Sequence, residues 1–212
     1  ITPGKEIPRP QFIEPPQKGE RRVTVRFEAE PRLLIGYHIP SYKDKDNVSL
    51  RLISMILSRG QSSRLVRDLV TNKKMAVSIG AFANSPGSRY ESLFMISGLP
   101  RHPHTPQELE AAVYEHLEKL KKEPVEAAEI EKSINQAEAS LYRSTGFAEN
   151  IFLAMRILNN IVRYDDIDAD FKAVEAMKKV TSQEIMDVAK RIFVENNRTV
   201  GILLRKEKGA EQ

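Results

Sequence analysis

Histidine is the side chain best able to bind a metal ion or transfer a proton near neutral pH, and the sequence contains four: His38, His102, His104 and His116. A helical zinc site needs two histidines one turn apart beside a glutamate, and no pair here has that spacing. His102 and His104 flank a proline, and a solvated loop is favoured over a metal clip because a metal site needs three or four ligands. We expect His116 on a helix surface and His38 as a satisfied core residue of an apolar strand.

Motifs of covalent catalysis and phosphate binding are missing from the sequence. Cysteine is absent, which excludes thiol catalysis and metal sites built on thiolates, and neither a glycine-rich phosphate loop nor G-x-S-x-G occurs. The turn at Gly60–Ser63 would suit an anion-binding helix start. A helix C-cap at Gly60 followed by an N-cap at Ser62 or Ser63 explains the same residues better.

Four aspartates, Asp165, Asp166, Asp168 and Asp170, resemble part of a calcium loop. They lack the glycine and the terminal glutamate that such a loop needs at fixed positions. We expect Asp168 to cap a helix instead. From its residues alone, the chain contains no self-sufficient active site.

Composition places the chain among ordinary globular domains. It has 212 residues, 41% hydrophobic and 29% charged, with a net charge of +4. The charge balance is +8 in residues 1–106 and −4 in residues 107–212, and no basic cluster is present. This distribution argues against a nucleic-acid surface. No apolar run approaches the roughly 18 residues of a membrane span.

Hydrophobic periodicity predicts five strands and seven helices. The first strand should be half-buried through Val23, Val25 and Phe27, and the short link at Pro31 predicts a hairpin with the second. Capping signals begin two helices, at Thr105 with Glu108 and at Thr181. The predicted strands are 21–28, 32–39, 76–84, 90–99 and 198–205, and the predicted helices are 46–60, 62–72, 106–122, 125–143, 147–162, 169–178 and 182–193.

This order predicts an α+β fold, a mainly antiparallel sheet backed by several helices on one face. The strongly apolar helix 147–162, which includes Phe152, is expected in the core. Residues 1–20 contain five prolines and predict a stiff interdomain linker. Residues 21–206 then form a single domain, with a tail at 207–212. Because such a linker joins domains, we expect the chain to be a piece of a longer protein.

A family resemblance appears in the segment Leu57–Leu65, read with Val66–Val70 and Met75–Ser78. This segment resembles the second repeat of pitrilysin/insulinase-type zinc peptidases, the family of mitochondrial processing peptidase, with its G-x-x-S-R-L turn, short helix and strand. The lead at 17–22 is similar to the family's linker, and 181–189 and 199–201 to its last helix and strand. The resemblance implies a processing-peptidase-like repeat domain.

Two departures from the family limit what the resemblance implies. The family's zinc ligands lie in its N-terminal repeat, and this chain has none of them. Partner-type C-terminal repeats carry an Arg and a Tyr that hold the substrate backbone, and the matching positions here are Val70 and Val77. Neither side chain can donate a hydrogen bond. We therefore transfer no catalytic, metal-binding or substrate-binding residue.

The resemblance implies the C-terminal domain of a zinc metalloendopeptidase subunit, inactive alone, which forms part of a substrate chamber and a partner interface. Zinc would belong to the absent N-terminal repeat of the parent protein. Partners would be that repeat, a homologous subunit or a second copy, and a peptide or protein substrate. The alternative is a non-catalytic partner or structural subunit of the same fold; a binding module unrelated to proteolysis is a third reading. Similarity to bacterial members favours the periplasm or cell envelope over the cytoplasm.

Overall fold

The computed structural model describes residues 15–146 and 150–206. A π-helix, Val66–Asn72, and a 3₁₀ turn, Glu195–Asn197, accompany the main elements. The strands are β1 Arg21–Phe27, β2 Arg32–Ile39, β3 Ala76–Ser85, β4 Ser92–Pro100 and β5 Arg198–Arg205. The helices are α1 Asp46–Ser58, α2 Pro106–Lys122, α3 Ala127–Gly146, α4 Asn150–Tyr164, α5 Ala169–Met177 and α6 Ser182–Ile192.

The five strands form one sheet in the order β1-β5-β2-β4-β3. Every pairing is antiparallel except that of β1 with β5. The predicted α+β class is confirmed. The predicted hairpin between the first two strands is wrong, because β5 lies between them. The charged side chains of Arg22 and Arg26 suit a sheet edge, whereas the apolar β5 suits the interior.

One face of the sheet carries the hydrophobic core. Alternate residues of β2, among them Leu33, Ile35 and Tyr37, are buried under the helices. Phe193, directly after α6, meets the ring of Tyr37 at 5.1 Å and that of Phe94 at 5.0 Å, both edge to face. These contacts fix α6 across the middle of the sheet.

Three of the predicted helix-end signals are confirmed. Thr105 with Glu108, and Thr181 with Glu184, form reciprocal capping boxes at α2 and α6. Gly60 has φ +85°, the left-handed conformation of a C-terminal cap.

At two predicted N-caps, Ser63 and Asp168, the side chain does not make the expected capping hydrogen bond. The Ser63 hydroxyl donates to the Gly60 carbonyl at 2.6 Å, so it closes the turn instead of capping the helix that follows. Asp168 occupies the N-cap position of α5 without a side-chain capping bond. Its own amide donates to the Asp166 carboxylate at 3.1 Å.

Helix α4 contradicts the prediction that residues 147–162 belong to the core. Met155, Leu158 and Val162 are each more than half exposed. Asn160 is buried, and it donates to the Ile167 carbonyl at 3.1 Å. The side chain of Phe152 lies outside the described residues. The apolar content of a helix indicates that the helix packs against something, but it does not identify the packing partner. Helix α4 therefore presents an apolar surface in this structure.

The described part of the predicted linker lies against the start of β5. Gln17 Nε2 donates to the Arg198 carbonyl at 2.6 Å, and the Glu20 carboxylate pairs with both Arg198 and Arg22. Within the described residues, no helix is both long and apolar enough to cross a membrane.

Candidate functional site

The face of the sheet opposite the core is open to solvent and apolar. Pairing of β1 with β5 places Val23 opposite Gly201 and Val25 opposite Leu203, so these residues share the outer face. Val23, Val25 and Phe27 are 56%, 50% and 64% exposed. The prediction that they are half-buried is wrong, since none of the described helices covers this side of β1.

The same apolar surface continues across the sheet. Leu34 of β2 is exposed beside Gly201, and Phe82 of β3 is exposed at the far edge. The Phe82 ring lies over Gly80, where an added Cβ would come within 2.7 Å of it. We call this surface the open sheet face and define it by Val23, Val25, Phe27, Leu34, Phe82, Met95 and Leu203.

Charged residues on the inner side of β1 keep its apolar residues outward. Arg22 reaches inward to Glu110 of α2, which is only 3% exposed, with Nη1–Oε2 at 3.1 Å. The Tyr114 hydroxyl donates to the same carboxylate at 2.6 Å, and the Arg198 guanidinium lies 4.4 Å from the Tyr114 ring centroid. Burial, together with the Glu110 carboxylate, raises the pKa of Tyr114. Sequence reasoning missed this network because Arg22 and Glu110 are 88 residues apart.

His116 is buried, in contrast to its predicted surface position. It is 9% exposed, and its Nε2 lies 2.8 Å from Asp68 Oδ2. The Lys73 ammonium lies 2.9 Å from the same oxygen. Burial raises the pKa of Asp68, but the hydrogen bonds from Lys73 and His116 outweigh it and hold that pKa below its ordinary value. This cluster ties α2 to the π-helix.

The other three histidines lie on the outer side of the sheet or near the start of α2. His38 lies half-buried on the outer side of β2, because Tyr37 and Ile39 take the core positions that were expected for it. His102 is exposed, and His104 Nδ1 lies 3.3 Å from Glu108 Oε2 in the α2 capping box. Neither His102 nor His104 belongs to a group of three or more His, Asp or Glu side chains among the described residues.

Two of the four aspartates pair with basic side chains, and an ion pair follows the Gly60 turn. Asp165 accepts two hydrogen bonds from Arg89, at 2.9 and 2.8 Å, and Asp166 pairs with Lys172 at 2.6 Å. After the turn, Arg64 is held by Glu129 through bonds of 2.9 and 2.6 Å. Over residues 15–146 and 150–206, no three His, Asp or Glu side chains are grouped to hold a metal ion, so these residues do not fit zinc.

Val70 and Val77 occupy different environments. Val70 is half-buried against the core, next to the π-helix residue Leu69. Val77 is half exposed at an irregularity in the pairing of β3 with β4, between Ala76 and Ser78. The correspondence of both valines to the family's substrate-holding residues stays a prediction.

The open sheet face is suited to binding. Its defining residues are apolar, and the same side of the sheet also carries Ser97 and the half-buried His38. An exposed apolar surface of this kind marks contact with another molecule in soluble proteins. The polar clusters around Glu110 and Asp68 are each hydrogen-bonded within the fold. The arrangement therefore supports a wall or docking surface in preference to a catalytic centre.

Comparison with known proteins gives consistent matches. The family described as the peptidase M16 inactive domain matches residues 2–137. The zinc protease PqqE of Helicobacter pylori is 33% identical over 174 residues, which cover 79% of this chain and 38% of that protein. The crystal structure of a Helicobacter pylori protease superposes with a TM-score of 0.84 at 25% identity, covering 94% of this chain and 48% of that one.

A second solved structure matches over nearly its whole length. It is the inactive peptidase domain of a Bordetella parapertussis protein described as a zinc protease, with a TM-score of 0.71 and 21% identity. The match covers 88% of this chain and 97% of that one, so this fold has crystallised as a separate chain. By contrast, the chain spans less than half of the two Helicobacter proteins it matches.

Proposed function

This chain belongs to the family of peptidase M16 inactive domains, and from that membership we propose that it is the non-zinc-binding, C-terminal domain of a zinc metalloendopeptidase subunit. In this proposal the zinc ion belongs to a separate N-terminal repeat of the parent protein. The present domain contributes shape and enclosure. Its own described residues form no metal site.

The open sheet face carries the proposal. It is wide, apolar and uncovered, and it lies on the side of the sheet away from the helices. We assign it as one wall of the substrate chamber, where apolar segments of an unfolded peptide lie against it. Such contacts accept many different peptide sequences, because the burial of apolar area is non-directional.

The apolar face of α4 supports a second part of the proposal, a partner interface. Ile151, Leu158 and Val162 present apolar surface away from the sheet. In the parent, this face meets the N-terminal repeat or a homologous subunit. The two surfaces then have separate roles, one for substrate and one for assembly.

The gene upstream of the Ile1 codon provides the first test. An in-frame His-x-x-Glu-His motif about two hundred residues earlier, roughly one repeat back, supports the proposal. A homologous upstream repeat without that motif would contradict it. The chain would then belong to a non-catalytic partner or structural subunit of the same fold.

A substitution in the purified parent peptidase tests the chamber wall. Leu34→Ser should raise KM for a peptide substrate with little change in kcat, because it removes binding that is the same in ground and transition states. Val194→Ser replaces an exposed apolar residue that is not part of the open sheet face and should leave both constants unchanged. Equal KM values for Leu34→Ser and the unmodified enzyme would refute the assignment of this face.

A further inference from the structure

A cavity of about 680 Å³ lies between α1, the end of β3 and the helices α3 to α5. Its lining combines three arginines with apolar side chains. Arg51 comes from α1, Arg59 directly follows that helix, and Arg163 comes from α4. The volume falls within the range of small-molecule sites and greatly exceeds that of one inorganic ion.

The three guanidinium groups are not neutralised by ion pairs inside the fold. Other arginines of the chain, such as Arg64 and Arg89, have a carboxylate partner within 3 Å. Among the described residues, no carboxylate lies within ion-pair distance of Arg51, Arg59 or Arg163. Asp170 is the one acidic residue of the described lining, so the described lining residues together carry a net charge of +2.

Arg51 is half-buried in the lining, and Arg59 and Arg163 line the cavity as exposed residues. Arg51, Met55, Ser58 and Arg59 follow the spacing of one helix face and line the cavity together. The residues on both sides of Arg163 are anchored through their carbonyl groups. Arg89 donates to the carbonyl of Val162, and the Tyr42 hydroxyl donates to that of Tyr164 at 2.7 Å.

A buried hydroxyl group supplies a second, independent observation. Ser88 lines the same cavity and is 3% exposed, and its Oγ has no hydrogen-bond partner among the described residues. Its backbone is fixed, because the Ser88 carbonyl accepts from the Tyr42 amide at 2.8 Å. A buried donor without a partner costs free energy that a bound acceptor would recover.

The rest of the lining combines polar side chains, such as Ser54, Asn84 and Ser140, with an apolar part formed by Met55, Leu141, Val174 and Met177. A ligand that joins an anionic group to an apolar body would contact both the arginines and this apolar part. A carboxylate fits the guanidinium groups, because arginine binds it through two parallel hydrogen bonds. We propose that this cavity binds an organic carboxylate with an apolar body, of which the free C-terminal end of a short apolar peptide is the representative.

Binding is measurable on this chain alone, since the Bordetella domain shows that the fold exists as a separate chain. The probe is acetyl-Ala-Leu-Leu with a free carboxylate, titrated calorimetrically against its C-terminal amide and against inorganic phosphate. We expect the acid to bind, with an affinity that falls as salt is added, and the amide to bind about tenfold or more weakly. Equal binding of acid and amide, or binding of phosphate without the acid, would overturn the proposal.

Substitutions then locate the site. Arg51→Gln and Arg163→Gln should each weaken binding of the acid by about tenfold or more. Arg67→Gln is the matched control, because Arg67 is an exposed arginine that does not line the cavity. Unchanged affinity in both cavity variants would contradict the assignment.

A measurement on the unmodified chain removes dependence on variant folding. Phenylglyoxal modifies accessible guanidinium groups, and mass mapping reads each arginine separately. We expect the acid peptide to slow modification of Arg51, Arg59 and Arg163 about tenfold or more while Arg67 reacts at its original rate. Protection of Arg67 to the same extent, or no protection of the three, would place the ligand elsewhere.

Discussion

Glu110 is the residue on which the orientation of β1 depends. Its carboxylate is nearly inaccessible and accepts hydrogen bonds from Arg22 and the Tyr114 hydroxyl. Because the inner side of β1 is held by charge, the valines of this strand are left facing outward. The open sheet face is therefore a consequence of a polar contact on the opposite side of the same strand.

Replacing Glu110 tests that dependence. Glu110→Ala should lower the free energy of unfolding by about 1.5–3 kcal/mol, because hydrogen bonds to a charged group are lost and the Tyr114 hydroxyl loses its acceptor. Glu118→Ala on the same helix removes a half-exposed carboxylate paired with Lys121 and should cost no more than about 1 kcal/mol. Urea denaturation measures both. Equal costs would show that the Glu110 network does not hold β1.

Asp68 gives the fold a defined acid sensitivity. Its folded-state pKa lies below the ordinary 3.8, so its stabilisation is fully present above that value. The stabilisation is lost as pH falls through the lower, folded-state pKa. Asp68→Asn should therefore unfold more easily at neutral pH, and its stability should depend less steeply on pH below about 4 than that of the unmodified chain. Parallel curves of unfolding free energy against pH would contradict this origin.

At the scale of elements, local signals predicted more than pairing did. Thr105 with Glu108, Thr181 with Glu184, and Gly60 mark helix ends through contacts within a few residues, and the structure confirms them. The predicted hairpin of the first two strands was wrong because β5, which comes last in the sequence, lies between β1 and β2 and pairs with both. The buried position of His116 was missed for the same reason, since Asp68 lies 48 residues away.

The error at α4 has a different cause. A high apolar content indicates that the side chains of a helix are buried. In a domain that functions alone, they are buried in its own core. Here the apolar side chains Met155, Leu158 and Val162 are exposed, so the cover they need is not among the described residues. The candidate cavity was also outside the reach of sequence reasoning, since Arg51 and Arg163 converge only in the folded chain.

A pair of leucine substitutions separates the surface role of α4 from a core role. Leu57→Ala, at a fully buried position of α1, should cost about 2–5 kcal/mol. Leu158→Ala should cost less than about 0.5 kcal/mol in the isolated chain, because more than half of the Leu158 side chain is already exposed. Thermal or urea unfolding of the two variants gives the comparison. A large cost at Leu158 would return α4 to the core.

At the scale of the whole molecule, the chain has apolar surface on two sides. The helices cover only one face of the sheet, and α4 adds exposed apolar residues beyond them. In a domain that functions alone, both exposed apolar surfaces would lower solubility. In a domain with a partner, they can form contacts with that partner. Membership of the M16 inactive-domain family fits the second case, because the matched Helicobacter proteins are more than twice as long as the matched segment.

The role of α4 in assembly can be tested with one charge placed at two neighbouring positions. Leu158→Asp puts a carboxylate within the apolar face, and its burial against a partner would be costly. Asn159→Asp puts the same charge on the next residue of the helix, which is also exposed. With the proposed N-terminal repeat supplied as a separate chain, Leu158→Asp should weaken association by about tenfold or more and Asn159→Asp by much less. Light scattering or calorimetry measures the two affinities, and equal weakening would mean that general charge, and not the apolar face of α4, governs assembly.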